Sequence, residues 1–230
     1  MNLTPDQIQQ LYKFTRTHFV EHYDLQTELV DHLANGIEEQ MRSKPNITFQ
    51  ESLNLEFKKF GVFGFHDVIR DKTKAMEKRY RNILFSLYKE YFKLPKILLF
   101  LLFVAIVYTT LSVLPSGYKG YVIASTFLLA MGVIFAKSLR NRKFLKNKNK
   151  KWLLEEMILN HTNSFLLLNL GTQICIYPNN IESLAKYPIG IVLISFLLVA
   201  VILLFYIMVF VIPPRVEEFL MQTYPEYKMA

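Results

Sequence analysis

Two patterns of apolar positions follow one another along this chain, and they change at Pro95. Up to Lys96, apolar residues recur every three or four positions among charged ones, which is the spacing of amphipathic helices. Beyond it, apolar residues run together. Ile97 to Leu114 is 18 residues without a charge, and Ile189 to Ile212 is 24. A bilayer core takes about 20 helical residues to cross, so such runs predict membrane helices. The pattern predicts an all-α chain: an N-terminal small helical bundle plus a four-helix transmembrane bundle.

The head divides at its punctuation. Thr4 as N-cap, Pro5 at the first helical position and Gln7 as capping-box partner open a first helix, with Ile8, Leu11, Tyr12 and Phe19 as its stripe. A second helix runs from about Asp24 to Met41. Leu25, Leu29, Leu33, Ile37 and Met41, widened by Val30 and Ala34, cover one half of it. Asp24, Glu28, Asp31, Asn35, Glu38 and Glu39 cover the other half. Lys44-Pro45-Asn46 breaks the chain, and Thr48 with Glu51 forms a second capping box. The helix that follows closes at Gly61 and turns Leu53, Phe57 and Phe60 inward. Residues 1–75 are thus expected to fold as a cytoplasmic helical domain. Residues 76–95 form a connecting helix with Met76, Tyr80, Ile83, Leu84, Leu87 and Tyr91 on one side, flanked by Lys78, Arg79, Arg81, Lys89 and Lys93. A basic, aromatic helix of this kind suits the membrane interface.

The membrane part spans 96–212, with helices at about 96–114, 120–139, 157–177 and 189–212, and a tail at 213–230. Charge then sets orientation. The first 96 residues hold 15 basic and 13 acidic side chains, whereas Lys137 to Lys151 holds eight basic and no acidic ones. Such an excess beside membrane helices marks the cytoplasmic side. It accounts for the net charge of +8 without a nucleic-acid partner. The turn Pro115 to Gly120 and the loop Pro178 to Pro188 are then outer loops, and both termini lie inside. Trp152, Tyr118, Tyr121, Tyr177 and Tyr187 are expected at the interfaces. The tail is expected to form a short surface helix through Val216, Phe219 and Leu220. Residues 1–22 lack an apolar signal-peptide core, so the first membrane helix is expected to direct insertion. Cys175, the sole cysteine, lies in an apolar run and reads as packing rather than redox chemistry.

Candidate chemistry is sparse. His18-Phe19-Val20-Glu21-His22 matches the inverted zinc-peptidase pattern, two imidazoles one turn apart with a carboxylate as base. It sits at a helix break, with no third ligand in view, and a solvated helix end explains it as well. Glu28 and His32, one turn apart beside Asp31, suit either a proton switch or an exposed acidic face. Thr162, Asn169, Thr172 and Gln173 form a polar stripe on the third membrane helix, for an ion or substrate path or for interhelical hydrogen bonds. No phosphate-binding loop, nucleophile elbow or dinucleotide glycine pattern occurs in the sequence. No catalytic, metal or cofactor residue is assigned, and no cofactor is expected.

One resemblance is specific enough to name. Glu28-Leu29-Val30-Asp31-His32-Leu33, then Ile37-Glu38, a break, Thr48-Phe49-Gln50-Glu51-Ser52-Leu53, and Phe57-Lys58-Lys59-Phe60-Gly61 resemble the HAAS-type helical domain. The chain departs from that pattern at Pro45-Asn46-Ile47, where a glycine is usual, and at Ser52, where an alanine is. The likeness covers about residues 20–75. It implies a bacterial protein whose head precedes membrane helices and signals to a PadR-like transcription regulator. The string Tyr23 to His32 also resembles four-helix membrane proteins of Bacteroidetes-type bacteria, to which no activity attaches.

Together these readings predict a multi-pass protein of a bacterial inner membrane with both termini inside. Its head would bind a cytosolic protein through Asp24, Glu28, Asp31, His32, Glu38 and Glu39. Contact with the lipid bilayer and self-association are both compatible with it, and direct nucleic-acid binding is not expected. The alternative is a small membrane transport component using the polar third membrane helix.

Overall fold

The computed structural model describes residues 3–148, 150–160, 178–224 and 227. Every regular element among these residues is helical. In chain order they are α1 (Pro5–Thr17), α2 (Tyr23–Ser43), α3 (Phe49–Lys58), α4 (His66–Glu90), α5 (Lys96–Val113), α6 (Lys119–Lys146), α7 (Leu153–Asn160), α8 (Pro178–Leu184), α9 (Pro188–Tyr206) and α10 (Val216–Thr223). A π-helical turn, Ile207–Val211, and a 3₁₀ turn, Pro213–Arg215, join the last two. Two compact units result, and the division falls inside α4. One unit runs up to Arg79 and also takes in Lys148–Glu156; the other begins at Tyr80.

In the head unit, both predicted capping boxes are made. Thr4 accepts from the Gln7 amide, Thr48 accepts from the Glu51 amide, and the Gln7 and Glu51 side chains reach back to the capping amides. α1 stops because Val20 N–H bonds the Thr15 carbonyl and Phe19 N–H bonds that of Arg16. This is the Schellman arrangement, which needs a left-handed residue at its centre. Phe19 takes that conformation at φ 65° although glycine or asparagine is usual there. The core gathers Leu11, Val20, Leu25, Leu29, Val30, Leu33, Ile37, Leu53 and Phe65, all buried. Phe57, Phe60 and Phe65 stack edge to face around it, with centroids 4.8 Å apart for Phe60 and Phe65 and 5.0 Å for Phe57 and Phe65. Gly36, a weak helix former in mid-helix, has a packing reason. A Cβ there would lie 2.5 Å from the Glu56 carboxylate. Glu56 is buried against it, bonded by Gln40 Nε2 and, at 2.5 Å, by Lys59 Nζ.

The second unit carries three helices that could cross a membrane by length and composition. They are Lys96–Val113, Lys119–Lys146 and the continuous run Pro188–Thr223, of mean hydropathy 2.3, 2.0 and 3.2. The fourth expected span, 157–177, lies outside the described residues beyond Asn160. α5 exposes apolar side chains widely, Leu98, Leu99, Leu101, Leu102, Phe103 and Ile106 among them, as a helix solvated by lipid does. The inner faces bury Leu111, Ile123, Phe127, Ile134, Ile191, Leu198 and Phe205 together.

Three features of this unit add to the sequence expectation. First, the later part of α4 packs with the second unit: Leu84 lies against this core and Tyr88 Oη donates to the Ala200 carbonyl at 3.3 Å. Second, the tail forms the helix α10, which buries Phe219 and Leu220 on one side and leaves Glu217, Glu218 and Met221 exposed on the other. Third, α9 ends in a π turn for a reason in the sequence. The fourth residue after Val209 is Pro213, which has no N–H to give the Val209 carbonyl. Lys137 supplies the missing donor at 2.7 Å and sits 4.1 Å above the Phe210 ring.

The two expected outer loops are joined. Glu182 of α8 accepts from Gly117 N–H at 3.1 Å and Gly120 N–H at 2.8 Å, where α6 begins. An anion on those orphan amides satisfies them and complements the helix dipole. Burial raises the Glu182 pKa, but the Gly120, Gly117 and Lys119 amides and the Lys119 ammonium outweigh it and hold the carboxyl below its usual range. A group depressed in this way stabilises the fold above its unfolded pKa of about 4.3, and that contribution fades as pH falls through the folded value. Acidification should therefore lower the melting temperature of the detergent-solubilised chain more than that of Glu182→Gln. Equal pH slopes for the two proteins would contradict this assignment.

Candidate functional site

The six residues of the expected partner surface all lie on α2, but they are not equivalent. Glu28 pairs with Lys72 at 2.7 Å. Glu38 accepts from the Leu3 amide at 2.9 Å and lies 3.8 Å from Arg42. Asp24 accepts from the Leu153 amide at 3.3 Å. His32 stands edge-on to Phe60, 5.5 Å between centroids. Asp31 and Glu39 are exposed and carry no hydrogen bond or ion pair among the described residues. An outward row of Glu28, Asp31 and Glu39 remains, on a helix whose other face is core.

The H-x-x-E-H pattern is divided by the end of α1. His18 is the C-cap of α1 and His22 the N-cap of α2, so the two imidazoles do not share a helical turn. His18 packs on the Phe14 and Phe57 rings, and His22 Nε2 meets Glu156 at 3.0 Å. Among the described residues no group of three or more His, Cys, Asp or Glu side chains is placed to hold a metal ion. The polar stripe Thr162, Asn169, Thr172 and Gln173, and Cys175 with it, lie outside the described residues.

The sequence reading missed what lies beside α2. Lys148–Glu156 belongs to the head, not to an open loop. Four contacts pin it to the start of α2. The Tyr23 amide donates to the Lys151 carbonyl at 2.7 Å, the Trp152 ring packs edge-on to Tyr23 at 5.3 Å, Leu153 N–H meets Asp24, and His22 meets Glu156. Trp152, expected at a membrane interface, is instead 2% exposed. Glu155, 1% exposed, holds Lys148 Nζ at 2.5 Å. The result is a cleft of about 310 Å³ lined by Arg16, Glu21, Tyr23, Gln26, Lys148, Lys150 and Lys151. No local signal points from Trp152 to Tyr23, because the contact joins segments about 130 residues apart and neither periodicity nor capping encodes it.

No family model, no curated protein and no solved structure matches this chain.

Proposed function

We propose that the chain is a membrane-tethered interaction module, held in a bacterial inner membrane with both termini inside, whose head recruits a PadR-like regulator. The observation that carries this reading is the outward acidic row of α2. Asp31 and Glu39 are exposed beside Glu28 and carry no ion pair among the described residues, on a helix whose opposite face is core. Unpaired like charges on a rigid face favour a basic partner surface, and such an association weakens as salt screens it. The basic run Lys137 to Lys151 supports the cytoplasmic orientation in this reading, since such an excess favours the inner side. The HAAS-like residues supply the class of partner.

The test is binding of a purified PadR-like regulator from the same organism to the full chain in nanodiscs. Affinity should fall as salt rises. Asp31→Lys with Glu39→Lys should weaken it by about tenfold or more, since both positions lie outside the core. Equal binding by the reversed variant, or no binding by the unaltered chain, rejects the reading.

A further inference from the structure

We propose that the cleft lined by Arg16, Tyr23, Lys148, Lys150 and Lys151 is a binding site for a phosphate-bearing anion. Four cations converge there from two segments far apart in sequence: Arg16 from α1, and Lys148, Lys150 and Lys151 from the returning strand of chain. Glu21 is the one carboxylate lining the cleft, and its contact with Lys151 is a long 3.5 Å at an exposed position. Lys148 is spoken for by Glu155. Arg16 and Lys150 have no carboxylate partner among the described residues. Like charges gathered in a partly enclosed space repel one another, and a cleft lined by one sign draws in the opposite one.

The site is also preorganised. Lys150 Nζ rests 4.4 Å above the Tyr23 ring, and that ring is held from another side by Trp152. Gln26 donates its amide to the Val20 carbonyl at 2.6 Å, which fixes the side chain in the cleft wall. The backbone bond from Tyr23 N–H to the Lys151 carbonyl fixes the path of this segment. Several cations drawn from two segments suit a group that carries two charges and several acceptor oxygens, as a phosphate does. The volume sits at the small end of ligand pockets, roughly 300–1,000 Å³, and suits one headgroup rather than a polymer. A phospholipid headgroup and a soluble phosphate compound share this chemistry.

Trp152 is the only tryptophan in the chain, and it packs on the ring that walls the cleft. Its emission therefore reports occupancy. The full chain in zwitterionic nanodiscs is titrated with inorganic pyrophosphate at constant ionic strength. In a second arm, phosphatidic acid replaces part of the nanodisc lipid in steps. A saturable change in Trp152 emission is expected in at least one arm. Pyrophosphate alone identifies a soluble ligand, phosphatidic acid alone a lipid headgroup, and a response in both the shared phosphate chemistry. Arg16→Glu with Lys150→Glu should shift the response by about tenfold or more, whereas Lys13→Glu, a basic residue outside the cleft, should leave it unchanged. Helicity of each variant is checked first, and Arg16→Gln with Lys150→Gln decides the matter if the reversed pair unfolds. No saturable response in either arm, or a response that the cleft variants keep in full, overturns the proposal. The acidic row of α2 is untouched by these changes, so the two readings stand or fall separately.

Discussion

Trp152→Ala should release the Lys148–Glu156 segment from the head. The indole is almost fully buried against Tyr23, and Leu153 and Leu154 are the other buried apolar side chains of the segment. Removing a buried tryptophan costs about 3–5 kcal/mol through lost transfer energy and the cavity left behind. Segments of this kind open locally before the whole unit does. An opening equilibrium shifted by 3 kcal/mol changes on the order of a hundredfold. The basic run offers trypsin many sites, so cleavage between Lys146 and Lys151 in the solubilised chain should accelerate by about that factor. Trp152→Phe should retain most of the protection. Unchanged cleavage in Trp152→Ala would mean that the segment is not held by its indole.

Leu33→Ala should loosen the whole head. Leu33 is fully buried at the centre of the α2 stripe. Truncation of such a leucine costs on the order of 2–5 kcal/mol. A small domain has only about 5–15 kcal/mol to lose. The damage should stay within one unit, because Leu33 belongs to the head core and the apolar helices of the second unit bury a separate cluster. Hydrogen exchange on the full chain separates these cases. Amides of α1, α2 and α3 should exchange faster by two orders of magnitude or so, and those of α5, α6 and α9 should not change. Uniform acceleration across both units, or none in the head, would contradict this division.

The local elements were legible because their causes are local. Thr4 and Thr48 stand three residues before Gln7 and Glu51, and a capping box needs nothing else. The α2 stripe needed only the helical period, and Leu25, Leu29, Leu33 and Ile37 are the residues it buries. The apolar runs likewise mark α5 and α9 by composition alone. Where the sequence reading placed a boundary at Pro95, it read hydropathy. Packing divides the chain earlier, inside α4, because Leu84 and Tyr88 find their partners on other helices of the apolar unit.

The partners of charged groups were not legible. Composition showed eight basic residues between Lys137 and Lys151, and positive-inside bias explained them as a set. Tertiary structure gave three of those side chains separate fates. Lys137 satisfies the Val209 carbonyl that Pro213 leaves orphaned, Lys148 is paired with buried Glu155, and Lys150 stands on Tyr23 at the mouth of a cleft. The same holds for the acidic half of α2, where helical periodicity placed six residues on one face but could not say that Glu28 meets Lys72 or that Asp24 meets the Leu153 amide. Periodicity reports which way a side chain leaves its own helix. What it meets depends on other segments, some of them more than a hundred residues away, and only the folded chain brings those together.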